Sequence, residues 1–176
     1  MYIFSYGSNL CFTRIHDRIG SVKYISIGRL LYHQLKIHKR STDGSAKADA
    51  FETGNKSDFV LGVVYDIDPS EKQTLDRFEG LGAGYDEKEV SIILNSQELV
   101  TAQMYCANKS FIDSSLRPFS WYLKYIIIGA TDYGFPDEYI KQLKSISSIA
   151  DSNKKRLCDF SKTIKKHKKN YCQHGR

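Results

Sequence analysis

Apolar and polar positions along the chain divide it into short strands, three helices and the turns between them. Residues 2–6 (Tyr-Ile-Phe-Ser-Tyr) read as a strand that runs into the turn cluster Gly7-Ser8-Asn9. Val22–Leu31 and Gln34–His38 have strand character, and Phe59–Ile67 (FVLGVVYDI) is a continuous apolar run that predicts a buried strand. Arg40–Asn55 is rich in Ser, Thr, Asp, Gly and Lys and reads mainly as loop, with one short strand near Ala48–Phe51. Glu87–Leu94 and Leu99–Cys106 predict two strands around a turn at Asn95-Ser96-Gln97.

The helices announce themselves by their ends. Asp68 can cap the first, with Pro69 at its opening position and Glu71 completing a capping box. Leu75 and Phe78 share one face, and Gly80 stops the helix, so Glu79 falls in its last turn. Pro118 opens a second helix through Trp121, Tyr122, Tyr125, Ile126 and Ile128 to Gly129-Ala130. Gly134-Phe135-Pro136 breaks it. A third starts at Pro136-Asp137-Glu138, with acids at its positive end, and carries Tyr139, Ile140, Leu143 and Ile146. There is no internal repeat. Strands, a helix, a hairpin and then helices argue for an α+β fold with a mixed, mainly antiparallel sheet; a doubly wound parallel sheet would alternate more regularly.

The 176 residues suit one domain with a tail, and 41% hydrophobic content is globular. Twelve Tyr and nine Phe against one Trp favour a β-rich chain. The net charge of +6 is uneven. Residues 154–176 hold nine Lys/Arg and one acid, which leaves 17 bases and 19 acids in residues 1–153. The chain therefore divides into a near-neutral domain, 1–150, and a basic tail, 151–176, and a nucleic-acid partner for the folded part loses support. Within the tail, Leu157, Phe160 and Ile164 recur at helical spacing and could lay one face on the domain.

Four cysteines without a Cys-x-x-Cys pair give no disulfide framework. The N-terminus lacks a basic region followed by an apolar one, and the apolar run at 125–130 is too short to span a bilayer. These features lead to the expectation of a reduced, cytoplasmic protein with no membrane partner. Cys158, His167, Cys172 and His174 fit no common zinc spacing, so no metal is expected. His16, His33 and His38 read as surface or hydrogen-bonded histidines. The oligomeric state is not legible.

Two places could carry chemistry. Glu79 sits at the negative end of a helix, where a carboxylate is disfavoured by roughly 0.3–1 kcal/mol, and burial would add to this. Such a group suits a proton shuttle, although a surface Glu is the commoner case. Tyr6-Gly7-Ser8-Asn9-Leu10 is a turn whose backbone N–H groups could receive a carboxylate or phosphate.

That pentapeptide after an N-terminal strand resembles the signature loop of the γ-glutamylcyclotransferase (AIG2-like) family. The likeness continues in order through Arg14-Ile15-His16, Gly62-Val63-Val64-Tyr65, Leu75-Asp76-Arg77-Phe78-Glu79-Gly80, Tyr85, Ser120-Trp121-Tyr122-Leu123, Ile127-Ile128-Gly129-Ala130, Gly134-Phe135-Pro136 and Tyr139. It covers residues 1–150. The resemblance implies a compact α+β fold around a β-barrel and a reaction without metal or organic cofactor. In that reaction a γ-glutamyl compound closes on its own γ-carbonyl to give 5-oxoproline and release an amine. It further implies Glu79 as the catalytic acid/base, and Ile3, Phe4, Ser5, Tyr6, Gly7 and Ser8 as the segment gripping the glutamyl head. Tyr122, Tyr85 and Tyr105 would be substrate-contacting tyrosines. Intramolecular attack already supplies proximity, so a fixed substrate and one tuned base suffice. A non-catalytic binding module of the same fold is the alternative, and an RNA-associated protein would rest on the tail alone.

Overall fold

The computed structural model describes residues 1–173, with side chains through residue 169. Five strands close into a barrel in the order β1 (Tyr2–Ser5), β5 (Phe59–Ile67), β2 (Val22–Leu31), β6 (Tyr85–Leu94) and β7 (Leu99–Ala107). All neighbours are antiparallel except β1 and β7, whose parallel contact at Ile3 and Gln103 closes the ring. β5 lies between β1 and β2, which explains its unbroken apolar run: both its edges are paired and seven of its nine residues are buried.

β3 (His33–Arg40) and β4 (Ala46–Glu52) form a separate hairpin. The stretch 40–55, which reads mainly as loop, thus contains a seven-residue strand. Its inward positions are Ala46, Ala48 and Ala50, buried but too small to register as an apolar alternation. Asp49 tacks the hairpin to the barrel. Its carboxylate meets His38 Nε2 at 2.8 Å and accepts the backbone N–H of Ala107, at the end of β7, at 2.7 Å.

Among the described residues five α-helices flank these sheets. α1 (Phe12–Arg18), which the apolar pattern does not reveal, follows a short 3-10 turn at Ser8–Leu10. A second 3-10 turn, Pro69–Glu71, leads into α2 (Lys72–Glu79), and Asp68 accepts the Ser70 N–H as its cap at 2.8 Å. Among the described residues Glu71 makes no side-chain bond that would close a capping box, and Phe78 is 53% exposed while Leu75 is buried. α3 (Ser120–Asp132) begins two residues after Pro118, because Phe119 is extended and acts as the N-cap. α4 (Asp137–Ser145) starts as its acids predict. The tail forms α5 (Lys154–Gln173).

The 3-10 turn is pressed onto α3 at Gly129, where a Cβ would stand 2.3 Å from the Leu10 carbonyl carbon. α5 lies over α1 and α3. Phe160 meets Tyr125 edge-on at 5.0 Å, and Arg156 grips the buried Asp151, which also accepts the Trp121 indole N–H at 2.7 Å. Lys166 pairs with Asp17 of α1. His167 sits between Thr13 of α1 (3.1 Å) and Asp132 of α3 (3.0 Å). Among the described residues no three His, Cys, Asp or Glu side chains gather as a metal site. His174 lies outside those residues.

Two predictions follow from this packing. In an open helix, Gly→Ala would stabilise by about 1 kcal/mol. At Gly129 the new methyl meets backbone, and overpacking costs about 1–3 kcal/mol. Gly129→Ala should therefore lower stability in urea unfolding, whereas a gain would contradict the close approach. The bond to Asp132, then contacts with Cys11, raise the His167 pKa from 6.5 to about 10. The stabilisation is complete below pH 6.5 and is lost as pH rises through about 10. His167→Gln should flatten unfolding stability across that window relative to the parent; an unchanged slope would contradict the pairing.

Candidate active site

One polar cavity of about 110 Å³ opens where the C-terminal end of β1, the first loop, α1, α2 and the β3–β4 hairpin meet. Its floor is built by β1 running out of the barrel. Phe4, Ser5, Tyr6, Gly7 and Ser8 all line it. In the 3-10 turn, Leu10 N–H bonds back to Gly7 O at 3.0 Å, while the N–H groups of Ser8 and Asn9 open the turn and have no acceptor within it. Ile3 is the exception among the residues singled out in this segment. It is buried in the barrel opposite Tyr65 and does not line the cavity.

Glu79 enters from the last residue of α2, which ends there because Gly80 adopts a left-handed conformation (φ 71°). Its Oε1 accepts from Asn9 Nδ2 at 2.9 Å and from Arg18 at 2.5 Å. Among the described residues Oε2 accepts no hydrogen bond. The Glu79 and Arg18 side chains are largely shielded, at 18% and 14% exposure. The helix end alone would disfavour the carboxylate; Arg18 supplies the opposite field at the same oxygen, a contact the linear pattern does not disclose. Arg18 and Arg14 lie one turn apart on α1, so both reach the same side. Arg14 donates to Ser8 Oγ at 3.1 Å and its guanidinium lies 4.4 Å over the Tyr125 ring. Burial, then the neighbouring Arg18, lowers its pKa to about 10.

The tyrosines fix the opposite wall. Ala48 of β4 donates its N–H to Tyr122 Oη at 2.9 Å and its carbonyl accepts from Tyr85 at 2.5 Å. Both outward backbone groups of that residue are thus satisfied by side chains from α3 and β6. Tyr6 donates to the Tyr105 carbonyl, and Tyr105 donates to Asp76 at 2.7 Å. Burial raises the pKa of all four, Tyr122 to about 12, so each keeps its hydroxyl proton in neutral solution.

The structure therefore brings together Glu79, Phe4, Ser5, Tyr6, Gly7, Ser8, Tyr85, Tyr105 and Tyr122, and adds Asn9, Arg14, Arg18, Ser41, Lys47, Ala48 and Phe78. Recognising α1 would have found the arginine pair. Lys47 was hidden in the stretch read as loop. The charged lining groups are Arg14, Arg18, Lys47 and the single carboxylate of Glu79. Such a cavity can hold an anionic molecule and move a proton at one oxygen.

The chain shows clear relatives. Residues 59–143 match the model of the AIG2-like family. A bovine (Bos taurus) γ-glutamylcyclotransferase is 33% identical over 151 residues, covering 81% of this chain and 77% of that protein. The human (Homo sapiens) γ-glutamylcyclotransferase is 31% identical over the same shares. A solved structure described as a γ-glutamyl cyclotransferase superposes with a TM-score of 0.79 at 27% identity, covering 92% of this chain and 98% of that one. Identity of this extent across most of both sequences, on a shared barrel, means that the chain belongs to the γ-glutamylcyclotransferase family.

Proposed function

We propose that this protein cyclises γ-glutamyl compounds to 5-oxoproline in the cytoplasm, releasing the amine, with Glu79 as the acid/base. The observation that carries the proposal is the Glu79 carboxylate itself. It is tethered through one oxygen, has no hydrogen-bond partner at the other among the described residues, and shares a cavity with the first loop. Of the other titratable lining groups, the tyrosines hold their protons more tightly than usual, and Arg14, with a pKa of about 10, stays charged in neutral solution. Burial lowers the Lys47 pKa, but its ammonium is held by Asp43 and Ser45.

In this mechanism the backbone N–H groups of the first loop and the cations of α1 hold the glutamyl head with its chain folded back. Glu79 takes a proton from the substrate's α-ammonium, and the freed amine attacks the γ-carbonyl carbon. The tetrahedral intermediate collapses by breaking the bond to the departing nitrogen. Glu79 returns the first proton there, and the proton shed by the attacking nitrogen follows. Closure of a five-membered ring within one molecule supplies orientation without a second reactant. Tyr85, Tyr105 and Tyr122 wall the cavity as neutral hydroxyls. The binding-module alternative is disfavoured by the relatives named as γ-glutamylcyclotransferases across most of the chain.

The test is incubation with a panel of γ-glutamyl amino acids and amines, with 5-oxoproline followed by mass spectrometry. Glu79→Gln should cut kcat by about 10²–10⁴-fold, the usual contribution of a positioned acid/base, while circular dichroism stays that of the parent. Equal rates in parent and variant would remove Glu79 from the chemistry.

A further inference from the structure

The β3–β4 turn builds an ammonium site at the cavity that the proposed reaction does not use. Gly44 is left-handed (φ 81°) and Ser41 N–H bonds to Ser45 O at 3.0 Å, so the turn folds tightly back on itself. Asp43, inside this turn, accepts Lys47 Nζ at 2.7 Å, and Ser45 Oγ lies 2.6 Å from the same nitrogen. The ammonium also stands over the rings of Tyr122 (4.8 Å), Trp121 (5.3 Å) and Phe119 (5.7 Å). Its side chain is only 13% exposed, yet it lines the cavity together with Ser41. An ammonium has three donors. Among the described residues Asp43 and Ser45 engage two, which leaves one for a ligand. Asp43, the ring faces and the short strand fix where that donor can be.

Charge points to the kind of ligand. Arg14, Arg18 and Lys47 line the cavity against Glu79, and Asp43 offsets Lys47. The buried Lys39 lies near enough to both carboxylates to interact with them, so the surroundings carry a positive excess. A γ-glutamyl amino acid carries two carboxylates and one ammonium, a net charge of −1. A γ-glutamyl alkylamine carries one of each and is neutral. The α-carboxylate of the glutamyl head already has the first loop and α1 to meet it. We infer that Lys47 reads the second carboxylate, the one on the departing amino acid, and so sets the preference for γ-glutamyl amino acids over γ-glutamyl amines. This inference rests on the cyclisation reading above. Lys47 acts in binding and takes no part in proton transfer.

γ-Glutamyl-alanine and γ-glutamyl-ethylamine differ only by that carboxylate, so they isolate the effect. With the full chain, kcat/KM is measured for both in the parent, Lys47→Met and Lys47→Arg, alongside thermal unfolding of each variant. The parent should prefer γ-glutamyl-alanine. Lys47→Met should reduce that preference by about tenfold or more, the effect of losing one charge-assisted bond, chiefly through KM. Lys47→Arg should retain most of it. If both substrates fall together in Lys47→Met, the ammonium holds the glutamyl head or merely shapes the hairpin, and the assignment is overturned. It is equally overturned if the ratio does not move, or if the parent shows no preference. A parent that makes 5-oxoproline from neither substrate instead refutes the cyclisation reading beneath it.

Discussion

The carboxylate of Glu79 is where three separately folded pieces meet. It leaves the end of α2, accepts from Asn9 of the first loop and pairs with Arg18 of α1. Each contact is modest alone. An exposed ion pair contributes little, but this one is shielded, and its hydrogen bonds settle where the acid sits relative to the loop. The helix end and the guanidinium act on the group in opposite senses. One oxygen is held, and among the described residues the other accepts no hydrogen bond.

The remainder of the molecule keeps those pieces in place. The barrel delivers β1 into the loop. α3 presses the loop from behind through the gap at Gly129, and also supplies Tyr122, which with Tyr85 captures both backbone groups of Ala48. α5 clamps α1 at Thr13 and Asp17, each adjacent to an arginine of the site. Phe160 backs Tyr125, over which Arg14 lies. The basic tail is therefore part of the wall behind the site as well as a charged surface.

Much of this was visible in the linear pattern for reasons that can be named. β5 announced itself because both edges are paired and both faces covered. α2 announced itself through Asp68, Pro69 and Gly80, and those same residues place Glu79 at a helix end. What stayed hidden lacks a strong local signal. β4 buries alanines, and α1 has seven residues and two arginines that look solvated until the fold turns them inward. Pro118 suggested a helix start two residues early, because the backbone remains extended through Phe119. Ion pairs between residues 61 positions apart, such as Arg18 and Glu79, depend on tertiary placement and leave no periodic trace.

The most direct test of the account is the fate of the substrate's own nitrogen. γ-Glutamyl-alanine labelled with ¹⁵N at the glutamyl α-amine, turned over by the full chain, should give 5-oxoproline that carries the label and alanine that does not. Labelled glutamate in place of 5-oxoproline would mean that water, not the α-amine, attacks the γ-carbonyl, and would contradict the account at its centre.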